Sequence, residues 1–403
     1  MKLKDFKNKR ITVMGLGVVG GGIGVVRFLT KAKAKVLVTD LREELKDSLA
    51  KIKKLPLELV LGRHRAKDFT ETDMIIKNPG VPDDSPYLKI AKQNKVQIET
   101  DIGIFFKLCK AETIGVTGTK GKSTVATLLF QLLKTKYANT ILCGNIGVSP
   151  LEHLDKIRKS TKVVLELSSW QLDGLKKHEK SPNAALITNI YPDHLNRYES
   201  FNSYVDSKKI IFLFQKKKDS LFLNYDDEAV RSFSKLTKSK VHFFSKSEMP
   251  DNVSKAAFIS SGRVVFKNEP VTNLKNLKLK ADHNLSNILA AVSLAKFSKV
   301  PSKNIEKVLK KFSGIEGRQE LIAEIQGVKY VNDTTSTMPL SSTVALKSFS
   351  SQFPKAKIIL IAGGQDKGLE YKSFAKEAGK LASSIILLPG SATSKMKKEF
   401  GRL

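Results

Sequence analysis

An α/β chain of three domains built on parallel sheets is what the sequence predicts, and three observations predict it. Two glycine-rich turns each join a strand-like apolar run to a helix-like one, over residues 11–29 and 113–133. Strand and helix patterns alternate between and after these turns and restart beyond Gly314. At 403 residues the chain is also too long for one ordinary core, so length alone asks for two or three domains. The boundaries fall near residues 110 and 316. They give a Rossmann-like domain over 1–109, a P-loop ATPase-like domain over 110–316 and a second Rossmann-like domain over 317–403.

In the first domain Ile11 to Met14 reads as a buried strand, followed by Gly15, Gly17 and Gly20 in G-x-G-x-x-G spacing and an apolar helix through Leu29. A second strand, Lys35 to Thr39, ends at Asp40. In such a βαβ unit the glycines permit a tight turn and close approach of a phosphate, and the terminal acid reaches a ribose hydroxyl. The motif leaves open whether the nucleotide is NAD or another, and Gly21, Gly22 and Gly24 are additions to it. Met74 to Lys77 reads as a strand whose end carries the turn Asn78-Pro79-Gly80, at the edge where ligands of open α/β sheets bind. Lys89 to Thr100 then gives a short helix and strand.

The second domain opens on GVTGTKGKST, residues 115–124. A strand, Thr113 to Val116, feeds this turn and a helix, Val125 to Leu133, leaves it, so backbone amides and the helix N-terminus would hold a polyphosphate. The strict P-loop pattern fails, because Val116 stands where its first glycine belongs and Gly118 is the nearest upstream one; the loop is shortened. ATP is the expected ligand, cradled by Gly118, Thr119, Lys120 and Gly121. Lys122 would meet the β/γ-phosphates and Ser123 would offer its hydroxyl to Mg²⁺, with Thr124 in reserve. Two further strands, Val163 to Leu167 and Ala184 to Thr188, end near Glu166 and His194, which can converge on the same phosphates and metal; a structural cap is the alternative for each. Phe201 to Phe214 reads as a helix carrying Lys208 and Lys209, and in so lysine-rich a chain either is by default a solvated charge. An Ala-rich helix carrying Asn287 closes the domain.

In the third domain Val328 to Val331 is a strand ending at Asp333. Lys357 to Ala362 is another, running into Gly-Gly-Gln-Asp-Lys367-Gly, and a helix then leads to the strand Ser384 to Leu388. Arg318, Asp333 and Lys367 fall at domain edges or strand ends, the usual places for substrate contacts.

Composition narrows the classes. Seventy Lys and Arg against 39 Asp and Glu give a formal charge of +31, which raises nucleic acid or an anionic membrane as partners. The lysines are dispersed, no aromatic residues interleave with them, and no nucleic-acid-binding signature is present; a solvated surface that steers anionic substrates inward fits better. Cys109 and Cys143 lack metal-ligand spacing and indicate neither a disulfide framework nor a zinc site. No signal-peptide core or membrane-length apolar run is present, so a cytoplasmic protein is expected.

Taken in order, GLGVVG, NPG, TGTKGKST, GNIG, ELSSWQL, PDHLNRY, YVDSKK, HNLSN, GRQE, VND and GGQDKG resemble the Mur ligase family over nearly the whole chain. That resemblance implies an ATP-dependent, monomeric amide ligase of peptidoglycan assembly, one that adds glutamate, expected to be D-glutamate, to UDP-N-acetylmuramoyl-L-alanine through an acyl phosphate. It implies that the first domain holds UDP, with Val18, Val19, Asp40, Arg42, Asn78, Pro79 and Gly80 around it and Asn145 and His194 completing the substrate site. Asn287, Arg318 and Asp333 would hold ATP from the far side. Ser123, Glu166 and His194 would serve Mg²⁺, with Lys208 matching a carbamylated lysine that turns a cation into an oxygen ligand. Domain closure would bring Thr337 and Lys367 onto glutamate. Against this pattern, Asn-Asp-Thr-Thr-Ser-Thr at 332–337 lacks a lysine, Val19 replaces a hydroxyl residue, and the third domain stops short of the family's last segment. Two other readings stay open: an inactive remnant that binds UDP and ATP, and a basic ATPase acting on nucleic acid.

Overall fold

The structure is a computed structural model and describes residues 2–17, 21–43, 45–193, 197–279, 282–366 and 369–401. Strand β1 (Arg10–Met14) is buried at its last four positions, as a strand covered on both faces of a parallel sheet must be. It pairs in parallel with β2 (Lys35–Asp40) on one side and β4 (Met74–Lys77) on the other. With β3 (Leu57–Leu61) and β5 (Gln97–Glu99) they form a five-stranded sheet in the order β3-β2-β1-β4-β5. The direction of winding reverses between β1 and β4, which opens a crevice at their C-terminal ends. The helix Gly21–Lys31 covers this sheet. Its additional glycines have a packing cause: a Cβ on Gly22 would lie 2.1 Å from the carbonyl oxygen of Leu16, and one on Gly24 would lie 2.6 Å from Ser149 Cβ.

The second sheet has nine strands in the order β14-β13-β12-β11-β10-β9-β6-β8-β7. They are β6 (Glu112–Thr117), β7 (Thr140–Gly144), β8 (Lys162–Glu166), β9 (Ala184–Ile187), β10 (Ser220–Asn224), β11 (Lys240–Ser245), β12 (Lys255–Ser260), β13 (Arg263–Phe266) and β14 (Glu269–Asn273). All pairs from β7 to β12 are parallel, and β12-β13-β14 is an antiparallel meander at the edge. Strand β6 lies between β8 and β9, so the winding reverses here too, at the end that feeds the glycine-rich turn. One apolar core, including Leu29, Phe105, Leu165, Ile187 and Phe258, runs continuously beneath both sheets. Among the described residues no helix is long and apolar enough to cross a membrane.

The chain divides into two compact units, Met1–Asn276 with Ser286–Lys310, and Leu277–Leu285 with Lys311–Leu403. In the second, β15 (Glu320–Ile325) and β16 (Val328–Asn332) form an antiparallel hairpin whose two turn residues, Gln326 and Gly327, have φ of 50° and 77°, as a tight right-twisting hairpin requires. The sequence patterns did not reveal β15. Strands β17 (Ile359–Gly363) and β18 (Ser384–Leu388) are parallel and are connected through the helix Lys372–Leu381, one βαβ unit over a small core of Leu346, Tyr371, Phe374, Ala378 and Met396. Among the described residues the two strand pairs are separate sheets, where the sequence reading expects one Rossmann-like sheet.

Candidate functional site

Strands β6, β8 and β9 are in register, Val116 lying opposite both Glu166 and Leu186, so their C-terminal ends finish level. The loop after β6 needs its glycines. Gly118 has φ +141°, and a Cβ there would sit 1.9 Å from Thr188 Oγ1; Gly121, at φ +84°, begins the helix Lys122–Lys134 and would drive a Cβ to 2.2 Å from Asn287 Oδ1. The loop is stitched to the end of β9. Thr119 N donates to the Asn189 carbonyl at 2.9 Å, Lys120 N to Asn189 Oδ1 at 2.8 Å, and Thr188 Oγ1 to the Lys120 carbonyl at 2.6 Å. Neither Thr188 nor Asn189 was singled out from sequence; their signal was being polar at the end of an apolar strand.

Two lysines meet over this loop. Lys122 Nζ donates to the carbonyls of Gly118 and Thr119 at 3.0 and 2.9 Å, and Lys208 Nζ donates to the same Gly118 carbonyl at 2.9 Å. Lys208 is 2 % exposed and lies over the Tyr204 ring, contrary to the solvated default for its helix, Phe201–Leu213. Burial first, and the Lys122 ammonium second, hold its amine well below the ordinary lysine range. Lys120 pairs with Asp193 at 3.5 Å.

Glu166, at the end of β8, is 1 % exposed. Its Oε1 accepts a hydrogen bond from Asn145 Nδ2 at 3.0 Å, whereas Oε2 is buried with no hydrogen-bond partner among the described residues. A buried carboxylate oxygen without such a partner beside a glycine-rich loop fits a hard divalent cation such as Mg²⁺. Ser123 and Thr124 are buried in the helix's first turn. Among the described residues no three His, Cys, Asp or Glu side chains gather as metal ligands. His194 lies outside the described residues, as do Val18, Val19 and Lys367.

The first sheet's crevice has its own geometry. Asp40, 4 % exposed, accepts hydrogen bonds from Leu16 N at 2.9 Å and from the Arg42 backbone and guanidinium at 2.7 to 3.0 Å. Burial alone would raise its pKa, but these donors outweigh burial and leave it below the usual aspartate value. Opposite, Asn78 Oδ1 accepts from Gly80 N at 3.0 Å, closing the Asn78-Pro79-Gly80 turn. The sites so gathered in the first unit are the crevice residues Asp40, Arg42 and Asn78–Gly80, and the loop residues Gly118–Thr124 with Glu166, Lys208 and Asn287. Asn145, which the resemblance places in the substrate site, donates from Nδ2 to Glu166 Oε1 at the end of β8. Arg318, Asp333 and Thr337 belong to the second unit, where burial raises the Asp333 pKa above the usual aspartate value and its Oδ1 accepts from Gln319 N at 3.0 Å.

Comparison with known proteins agrees with this organisation. Residues 116–295 match the family model described as Mur ligase middle domain, and residues 9–100 match Mur ligase MurD-like, N-terminal domain. The chain is 39 % identical over 401 residues to a UDP-N-acetylmuramoylalanine–D-glutamate ligase of Roseiflexus sp., covering 97 % of this chain and 85 % of that one. It is 38 % identical to the protein of that name from Borreliella afzelii, covering 98 % and 86 %. Among solved structures, UDP-N-acetylmuramate-alanine ligase MurC of Thermotoga maritima superposes with a TM-score of 0.65 at 21 % identity, covering 98 % and 88 % of the two chains. A pseudomurein peptide ligase type C from Methanothermus fervidus gives 0.56 at 22 %, covering 98 % and 87 %.

Proposed function

The chain belongs to the Mur ligase family, and from that premise we propose that it joins D-glutamate to UDP-N-acetylmuramoyl-L-alanine with ATP, in peptidoglycan precursor synthesis. The observation that carries the chemistry is the meeting, at one sheet edge, of a phosphate-cradling loop, a buried low-pKa amine at Lys208 and the leftover oxygen of Glu166. A carboxylate does not react with an amine, so the alanyl carboxylate first attacks the γ-phosphorus of ATP and ADP departs. The glutamate amine then attacks the acyl carbon, loses a proton and expels phosphate. Phosphoryl transfer asks chiefly for positioning and charge neutralisation. Lys122 supplies the positive charge at the loop, and the N-terminus of the helix that begins after Gly121 holds the phosphates. Glu166, Ser123 and His194 would hold Mg²⁺, which would supply positive charge against the phosphates. Lys208, as a neutral amine, adds CO₂ and releases a proton to become a carbamate, an oxygen donor beside the same loop. Asn287, Arg318 and Asp333 are assigned to ATP, the crevice residues with Val18 and Val19 to UDP, and Thr337 and Lys367 to glutamate. Residues 1–109, 110–316 and 317–403 carry these three binding roles. A cytoplasmic monomer suits the water-soluble substrates.

The test is phosphate release from ATP with Mg²⁺ and UDP-N-acetylmuramoyl-L-alanine, with and without D- or L-glutamate, followed by mass detection of the product. Phosphate and product that both require D-glutamate are the expected result. Nucleotide binding by folded protein that yields no product would overturn the ligase assignment.

A further inference from the structure

One cation outside the loop ties the two nucleotide crevices together. The Arg197 guanidinium donates from Nη2 to the carbonyl of Pro79 at 2.8 Å and to that of Val81 at 3.4 Å, and from Nη1 to that of Gly80 at 3.2 Å. The guanidinium also meets an aromatic face: Cζ lies 4.3 Å from the centre of the Trp170 ring. Asn78 closes the turn with its own side chain and backbone, accepting from Gly80 N and Val81 N at 3.0 and 2.9 Å, and the Val81 carbonyl also accepts from Lys77 Nζ at 3.2 Å. Trp170 lies in the helix Ser169–Lys176, whose Ser168 capping box fixes it four residues beyond Glu166. Three charge-assisted bonds to consecutive carbonyls plus a stacked plane use every feature that separates arginine from lysine.

We propose that Arg197 is a positioning residue: it holds the Asn78–Val81 turn against the Trp170 helix, so that a UDP anchored at the first crevice sets how far the acyl carboxylate reaches toward the γ-phosphate. The proposal rests on the reading of that turn as the UDP site. Misplacing a reacting group by about an ångström costs roughly a hundredfold in rate, so an anchor of this kind has leverage. Arg197→Lys keeps the charge but loses the fork and the plane.

The experiment compares Arg197→Lys and Trp170→Phe with the parent protein on two substrates, UDP-N-acetylmuramoyl-L-alanine and the same compound lacking UMP, N-acetylmuramoyl-L-alanine 1-phosphate. For Arg197→Lys, kcat/KM on the UDP substrate should fall by about tenfold or more while KM for ATP holds and kcat/KM on the truncated substrate is unchanged. Trp170→Phe, which keeps an aromatic plane, should show a weaker effect of the same pattern. Equal losses on both substrates, or a matching rise in KM for ATP, would make Arg197 a merely structural contact and sink the proposal. A parent protein that uses both substrates equally well would instead overturn the UDP reading, and the proposal with it.

Discussion

A lysine left 2 % exposed needs a close anion to keep its proton, and although Asp193 and Asp173 act to raise the Lys208 pKa, burial and the Lys122 ammonium outweigh them. Its depressed pKa is therefore a consequence of packing. A guanidinium cannot be discharged at working pH and cannot form a carbamate, so Lys208→Arg should lower kcat by about a hundredfold or more, whereas Lys209→Arg, at a site paired with Asp206 near the surface, should leave it unchanged. Steady-state rates with saturating ATP and both other substrates check this, and equal activity of the two variants would remove Lys208 from the chemistry. This residue also marks a limit of sequence reading. Lys122 and Ser123 are legible because the loop that makes them functional is contiguous in the chain. Lys208 acquires its character from Gly118 and Tyr204 only after folding, and family resemblance alone singled it out. Arg197 sat within PDHLNRY as one cation among many, since nothing local says that its partners are carbonyls more than a hundred residues upstream.

Between elements, polar ties do what apolar packing alone leaves unspecified. Glu99, the last residue of β5, is almost fully buried yet meets Lys107 at 2.8 Å, Lys177 at 3.2 Å and His178 at 2.9 Å, and accepts from Gln97 Nε2 at 2.8 Å. The two basic residues at 177 and 178 follow the Trp170 helix, so this carboxylate fastens the first sheet to the second domain's edge. Burial pushes its pKa up, but the hydrogen bonds from Lys107 and Gln97, with the charges of Lys177 and His178, pull it down to about 2. The folded value lies below the ordinary 4.5, so the stabilisation is complete above pH 4.5 and is lost as pH falls toward 2. The difference is worth about 3 kcal/mol at neutral pH. Glu99→Gln should lose about that much stability at pH 7 and little at pH 2.5, read by urea unfolding at both; an equal loss at the two pH values would assign the effect to shape instead of charge. Elements themselves were legible where period and glycine punctuation agree: β1, β4, β6 and the helices after the two glycine-rich turns fall within a few residues of expectation. Strands β10 to β14 and β15 were not, because short apolar runs without flanking motifs read equally well as helix or strand.

Over the whole molecule, the surplus of 70 basic over 39 acidic residues calls for a physical role beyond solubility. Restarting strand–helix patterns ask for three domains, whereas the chain divides into two compact units and crosses between them around residues 277–285, at the start of the Asn287 helix. Charge is the one whole-chain property that needed no fold to be read. All three substrates of the proposed ligase are anionic, carrying phosphates or carboxylates, and a dispersed positive field attracts them from beyond contact distance. Such a field is screened over about 10 Å at 0.1 M salt and about 3 Å at 1 M, so it acts on encounter more than on the bound state. Raising NaCl from 0.05 to 0.5 M should therefore lower kcat/KM for the UDP substrate severalfold while kcat at saturation stays near its low-salt value, a split that separates steering from salt damage to the site. A flat kcat/KM across that range would leave the lysine surplus as a solvation feature with no part in substrate capture.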